Sequence, residues 1–547
     1  MTAIADATRS TPSPAPARLS LDQPVNIRFL LGFMGVLAAG LLFMAYSIYS
    51  DISDAGSAPT TILPFLLLGA AMLIALGFEF VNGFHDTANA VATVIYTRSL
   101  QPQVAVVWSG LWNLLGVLTS SGAVAFGVVS LLPVELIMQV GSGAGFAMVF
   151  ALLIAAIIWN LGTWSFGLPA SSSHTMIGSI VGVGIANALM RGQDGTSGVD
   201  WGQVTNIGNA LLLSPLFGFV FAALLLLVMK FLVCAPALYT APTTNNPPPL
   251  WIRGLLVFTC TGVSFFHGSN DGQKGMGLIV LILVGVVPAT FSLNMATSAD
   301  TIAKIHADAM VFEQQWQKGE PVVPSTDLVA ARKVLTGYLR KDPISKATVD
   351  ALGTVNHAII ESTATVKDIA SIPAEQRRNM RLNVYVVSES LGKMMKAKKL
   401  PEQFNADTSK EYQGLLKGLT TFIPTWVKIA VALALGLGTM VGWKRIVVTV
   451  GEKIGKAHLT YGQGAAAEIV AFGTIEAADI LGLPVSTTHI LSSGIAGSMV
   501  ANKSGIQGDT VRNIILAWVL TLPVCVLLGA ALFGAGLLFV LRVLGVH

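Results

Sequence analysis

Ten apolar runs dominate the chain, at about 29–49, 62–84, 104–131, 144–167, 205–233, 252–267, 275–296, 422–442, 463–481 and 511–541. Crossing the hydrocarbon of a bilayer takes roughly 20 apolar residues of helix, and all backbone polar groups in it must be satisfied by the helix itself or by a closed barrel. No alternating ten-residue barrel pattern is present, and shorter Gly-rich and Ser-rich runs lie at 86–97, 172–190 and 486–502. The pattern predicts an all-α integral membrane protein with about 10–12 transmembrane segments, several of them broken helices. Only 11% of the residues are charged, less than half the share in an ordinary soluble domain, which excludes a soluble enzyme and a disordered chain alike.

The charges are unevenly spread. Residues 297–420 hold 17 of the 33 Lys and Arg and 14 of the 29 Asp and Glu, so one polar block sits inside an almost uncharged protein and the net charge of +4 says little about partners. Nucleic acid is not expected as a partner. Cys234, Cys260 and Cys525 lie in apolar surroundings without CxxC or His spacing, so neither a disulfide framework nor a zinc site is readable. Residues 1–28 are rich in Ala, Pro, Ser and Thr and predict a disordered tail rather than a cleaved signal.

Two motifs recur in the same order. GFHDTANA at 83–90 aligns with GSNDGQKG at 268–275, placing Asp86 over Asp271 and Asn89 over Lys274. GLPASSSHTMIG at 167–178 aligns with GLPVSTTHILSS at 482–493, pairing Ser171 with Ser486, Ser172 with Thr487, Ser173 with Thr488 and His174 with His489. Asp86 and His174 are 88 positions apart and Asp271 and His489 are 218 apart. The surplus of 130 is close to the length of the charged block, which therefore reads as a domain inserted into the second repeat. The expected organisation is a tail (1–28), an extra helix and loop (29–61), repeat A (62–234), an inter-repeat loop (235–251), repeat B in two parts (252–296 and 421–547), and a polar helical insertion (297–420).

Lys and Arg of short loops stay in the cytoplasm. With Arg9, Arg18 and Arg28 inside, one side collects Arg98, Lys230, Arg253, Lys444, Arg445, Lys453, Lys456, Lys503 and Arg512, and the other only Arg191 and Arg542. That division requires each repeat to cross an odd number of times, which makes the repeats inverted. It places the N-terminus in the cytoplasm and the insertion outside.

A carboxylate at membrane depth is costly, and Asp86 and Asp271 recur at matched positions, which points to holding a cation, a proton or a metal that travels with a substrate. Asn89 and Lys274 follow three residues later on the same helix face. Lys274 can offset the acids or contact an anion as a point charge. Ser171, Ser172, Ser173, Ser486, Thr487 and Thr488 follow Gly-Leu-Pro, where Pro169 and Pro484 end one helix and hydroxyls cap the next; helix N-termini attract anions. Asn82, Asn270, His85, His267 and Glu79 are further candidates for cation or proton handling, and His174 and His489 for positioning the hydroxyl loops. Glu468, Glu476 and Asp479 lack acidic counterparts in the first repeat and rank behind these.

NGFHDTANAVATVIYTR (82–98), GLPASSSHT (167–175), FFHGSNDGQKG (265–275), GWKRIVVTVGEKIGK (442–456) and GLPVSTTH (482–489) closely resemble the inorganic phosphate transporter (Pit) family, nearest to its bacterial low-affinity permeases. The resemblance runs from residue 62 onward. It implies secondary transport of inorganic phosphate across a bacterial inner membrane, driven by protons, with phosphate carried as a neutral complex of magnesium or another divalent metal. It assigns the paired carboxylates to Asp86 and Asp271, which would also meet the substrate's metal, and the phosphate loops to Ser171–Ser173 and Ser486–Thr488. Many sodium-coupled relatives carry Asn immediately before and three residues after the motif Asp in both copies; His85 and Lys274 depart from that and favour protons over sodium. A resident cofactor is not expected, the partners are phosphate and the lipid bilayer, and a homo-oligomer is allowed.

Two other classes fit these residues less well. An intramembrane Ser/His/Asp hydrolase needs one nucleophile, whereas the hydroxyl clusters are duplicated. A channel sits poorly with broken-helix repeats of unequal charge. The reading preferred is a carrier working by alternating access about a midplane site.

Overall fold

The computed structural model describes residues 21, 27–54, 63–86, 88–132, 143–242, 246–318, 327–340 and 342–542; most of the 1–28 tail therefore lies outside the described residues. The described residues are helical, with one isolated bridge between Gly455 and Ile506 and no strand. In chain order the helices are α1 (Ile27–Asp54), α2 (Leu63–Asp86), α3 (Ala88–Tyr96), α4 (Pro102–Thr119), α5 (Ala123–Val129), α6 (Gly143–Ser165), α7 (Ser172–Met190), α8 (Trp201–Leu232), α9 (Leu250–Val286), α10 (Pro288–Phe291), α11 (Ala299–Gln317), α12 (Leu328–Arg340), α13 (Lys346–Thr363), α14 (Ala374–Lys396), α15 (Ala406–Thr420), α16 (Thr425–Thr439), α17 (Lys444–Val448), α18 (Tyr461–Ile480), α19 (Thr487–Ala501) and α20 (Gly508–Arg542).

Among the described residues, seven helical stretches are long and apolar enough to cross a membrane, or up to nine if each of two sharply bent pairs, α4 with α5 (77°) and α15 with α16 (68°), is one span. The count of 10–12 expected from hydropathy is higher because it splits one continuous helix and also takes in runs, such as 463–481 on α18, that are not among these stretches. The apolar runs at 252–267 and 275–296 are separated by polar residues, yet α9 continues through them for 37 residues. Those polar groups pair with neighbouring helices instead of ending their own. Outer faces of α1, α8 and α20 expose Leu42, Leu212, Phe231 and Leu527, as a lipid-facing surface requires.

The halves exchange partners. α2 packs on α16 and α9 on α4, so each helix with a first-motif carboxylate rests on a helix of the other repeat. Likewise α7 packs on α20, and α19 on α8. Aligned glycines mark these crossings. A Cβ on Gly83 would meet the Leu435 carbonyl oxygen at 2.3 Å, and one on Gly268 the Asn113 carbonyl oxygen at 2.1 Å. On Gly182 it would meet the Val526 oxygen at 2.0 Å, and on Gly497 the Phe219 oxygen at 2.1 Å. Small residues allow membrane helices to pack backbone to backbone.

Helices α11–α15 have a core of their own, with Trp316, Leu335, Leu352, Val384, Met394 and Tyr412 buried and Phe312 stacked on Phe404 at 4.4 Å. Two arginines one turn apart on α14 join this unit to the membrane helices. Arg377 donates to the Ala289 carbonyl at 2.9 Å, and Arg381 to those of Ser292 at 2.8 Å and Thr420 at 3.0 Å. Burial pulls the Arg381 guanidinium down to about 10, which leaves it cationic at neutral pH, facing the carbonyl ends of two helices. At the opposite end of α9, basic loops meet: Arg253 Nε bonds the Ser99 carbonyl at 2.8 Å, Lys230 pairs with Asn502, and the Lys456 amide bonds the Gly505 carbonyl at 3.1 Å.

Candidate functional site

Each Gly-Leu-Pro motif stops one helix and starts another. Gly167 (φ 68°) and Gly482 (φ 66°) take the left-handed conformation that closes a helix. The next amides, Leu168 and Leu483, bond back to the carbonyls of Thr163 and Ala478, both at 2.9 Å. The stop is therefore made by the glycine, with Pro169 and Pro484 two residues beyond it. Ser171 and Ser486 then cap α7 and α19, accepting from the amides of His174 at 3.3 Å and His489 at 3.1 Å. Two capped helix N-termini are thereby buried inside the protein.

The first-motif carboxylates lie between them. Asp86 is the last residue of α2 and Asn89 the second of α3, while Asp271 and Lys274 lie near the middle of α9. Asp86 Oδ2 accepts from Ser172 Oγ at 2.5 Å, and its Oδ1 accepts from Thr488 Oγ1 at 3.0 Å and faces His85 Nδ1 at 2.8 Å. Ser172 Oγ also lies 3.4 Å from Asp271 Oδ2, so one hydroxyl bridges the two acids. Asp271 Oδ1 accepts from Lys274 Nζ at 2.5 Å, and His267 Nε2 stands 3.4 Å from Oδ2. All of these residues are buried.

Ligand atoms of Asp86, His267 and Asp271 lie within 4.8 Å of one another, a set able to hold a metal ion. Two ionised carboxylates at that distance repel by about 3.5 kcal/mol at an effective dielectric of about 20. Lys274 supplies one positive charge against two negative ones. A proton or cation completes the balance, and a phosphate anion entering alone would worsen it.

The remaining candidates divide by partner. Ser173 Oγ accepts from Lys274 Nζ at 2.6 Å and donates to the Val485 carbonyl at 2.7 Å, and Asn89 Nδ2 donates to Thr488 Oγ1 at 3.1 Å. Asn270 holds the second Gly-Leu-Pro loop through the Leu483 carbonyl at 3.1 Å and the Val485 amide at 3.4 Å, so its side chain faces backbone and not a carboxylate. His174 and His489 face each other with ring centroids 4.6 Å apart, and Trp518 stacks on His489 at 4.0 Å while bonding the Pro169 carbonyl at 2.8 Å. Thr487 Oγ1, His174 Nδ1 and His489 Nε2 are buried with no hydrogen-bond partner among the described residues. Glu79 lies against Gly275 with Asn82 beside it, neither side chain in ordinary hydrogen-bond geometry.

Several polar residues escape sequence reasoning. Thr163 meets His85 Nε2 at 3.1 Å, and Asn113 meets His267 Nδ1 at 2.7 Å, fixing both imidazoles from behind. Glu468, ranked low above, is fully buried between the hydroxyls of Thr93 and Thr259. Asp479 binds Ser269 and Gln273, both at 2.6 Å. A usable signal existed for Thr93, which continues the helical spacing of Asp86 and Asn89. Asn113 and Thr163 carry none, since their partners come from other helices. Glu476 takes no part in these contacts.

The model of the phosphate transporter family matches residues 82–529. The low-affinity inorganic phosphate transporters PitA and PitB of Escherichia coli (strain K12) are each 41% identical to the chain, PitA over 87% of this chain and 97% of its own length, PitB over 86% and 96%. A probable low-affinity inorganic phosphate transporter of Bacillus subtilis (strain 168) is 27% identical over 84% of the chain and 94% of its own. A solved structure of a sodium-dependent phosphate transporter aligns with 86% of this chain and 98% of its own at 18% identity and a TM-score of 0.48. Since the matched span takes in both copies of both motifs, the chain belongs to the phosphate transporter family.

Proposed function

We propose that the protein is a symporter that imports inorganic phosphate by alternating access, coupled to protons and carrying phosphate as a neutral complex with a divalent metal. The observation that carries this reading is the carboxylate pair bridged by Ser172 and set between two capped helix N-termini. Amides and hydroxyls of α7 and α19 suit phosphate oxygens without adding charge, and the acids suit the accompanying cation. Asp86, His267 and Asp271 would meet the metal of the substrate. Ser172 and Thr488 would turn from Asp86 toward phosphate as a proton or metal quenches the carboxylate.

The reciprocal packing supports the two repeats rocking against each other, related as inverted copies. The positive-inside rule favours the cytoplasm for the end where Arg253, Lys230 and Lys456 gather, which puts α11–α15 on the outer side of a bacterial inner membrane. Counterflow of labelled phosphate in proteoliposomes tests the reading, with pH, magnesium and sodium varied independently. Saturable exchange is expected, stimulated by an inward proton gradient and by magnesium and indifferent to sodium. Flux without saturation, or an absolute requirement for sodium, refutes it.

A further inference from the structure

The two copies of the first motif are built to one plan and differ by one charge. Asn89 Nδ2 donates to Thr488 Oγ1 at 3.1 Å, and Lys274 Nζ donates to Ser173 Oγ at 2.6 Å. Asn89 aligns with Lys274 and Thr488 with Ser173, so each first motif reaches the equivalent hydroxyl of the other repeat. At Asp271 the result is a fully buried ammonium 2.5 Å from Oδ1. At Asp86 the equivalent group is a neutral amide that turns to the Asp86 backbone carbonyl at 2.9 Å. The Asp86 carboxylate is faced by His85, Ser172 and Thr488, and no Lys or Arg pairs with it among the described residues.

We propose that Lys274 is a tethered counter-cation, occupying beside Asp271 the place that a mobile cation or proton takes beside Asp86. The inference rests on the symport reading and refines it: the Asp271 half needs no coupling ion from solution, sodium included, so the coupling ion is carried by the Asp86 half alone, while Asp271 still faces the metal that travels with phosphate. The Lys274 ammonium has oxygen neighbours at 2.5 Å from Asp271 and 2.6 Å from Ser173. Carboxylate and hydroxyl oxygens of this kind are also the ligands that a hard cation takes. Shortening the side chain to an amide leaves a buried carboxylate uncompensated, which is strongly unfavourable unless a small cation enters.

The test uses the full-length protein in proteoliposomes at a fixed inward proton gradient, with choline, sodium or lithium as the external cation. Wild-type phosphate uptake is expected to be the same in all three. Uptake by Lys274→Asn is expected to fall at least about tenfold in choline and to recover several-fold in sodium or lithium. Sodium should also raise the melting temperature of Lys274→Asn and leave that of the wild type unchanged. Should the Asn variant not yield monodisperse protein, Lys274→Gln runs the same comparison. A variant indifferent to sodium overturns the inference, whether it is fully active or inactive; an inactive one that ignores sodium makes the ammonium a direct phosphate ligand. A wild type that itself requires sodium or ignores the proton gradient defeats the symport reading instead, so the two failures are separable.

Discussion

Gly268 is the point where the fold and the site depend on the same atom. A Cβ there would lie 2.1 Å from the Asn113 carbonyl oxygen and 2.8 Å from the Asn113 Cα and carbonyl carbon, all of them backbone that cannot rotate away. Restoring ordinary contact requires α9 and α4 to part by roughly 1 Å, and overpacking of this kind costs about 1–3 kcal/mol. The same turn carries His267, bonded to the Asn113 side chain at 2.7 Å, and the next turn carries Asp271. A misplacement of about 1 Å at a site that positions reacting or bound groups can cost on the order of a hundredfold in rate. Gly268→Ala is therefore expected to lower the melting temperature in detergent and to cut initial phosphate uptake at least about tenfold. Gly254→Ala, on the same helix with nothing within 4 Å, is the control. Replacing that glycine within a helix is expected to be neutral or mildly stabilising. If Gly268→Ala melts and transports like Gly254→Ala, the close crossing beneath the carboxylates is not real.

Ser172→Ala removes the hydroxyl that bridges the two acids. Hydrogen bonds to charged groups contribute about 1.5–3 kcal/mol, so phosphate uptake is expected to fall roughly 10- to 150-fold, whereas Ser171→Ala should cost only a helix cap of about 1 kcal/mol in stability. Equal losses from the two serines in uptake by folded protein would contradict this division of labour. Arg381→Met strands the Ser292 and Thr420 carbonyls at the base of the inserted helices. Each buried unsatisfied carbonyl costs about 1–3 kcal/mol, so thermal unfolding should occur at clearly lower temperature; an unchanged transition would show that Arg381 does not anchor the insertion.

Local chemistry was the legible part of this protein. Glycine at 167 and 482, proline two residues on and serine at 171 and 486 each act on their own few residues, so the stop and restart of both broken helices follow from the amino-acid string. Matched spacing likewise singles out Asp86, Asp271 and Lys274 from the amino-acid string alone. The number of spans was harder to read, because hydropathy falls at 268–274 whether a helix ends or merely turns polar groups toward partners, and α9 does the latter. Which hydroxyl meets which carboxylate depends on the exchange of helices between halves, a tertiary fact with no local signature. Ser172 therefore emerged as the bridge and Ser171 as a cap, although the two are neighbours of the same type. Glu468 was undervalued because it has no acidic counterpart in the other repeat, while its partners Thr93 and Thr259 come from α3 and α9.

Phosphate entry in this reading depends on both carboxylates, with Asp86 taking the coupling ion and Asp271 compensated by Lys274. Labelled phosphate uptake by reconstituted Asp86→Asn, Asp271→Asn and the double variant tests it most directly, with monodispersity and melting temperature confirming that each protein is folded. Each single change is expected to abolish uptake driven by the proton gradient, and the double change to leave none above the protein-free background. Gradient-driven uptake that persists in the folded double variant would contradict the account.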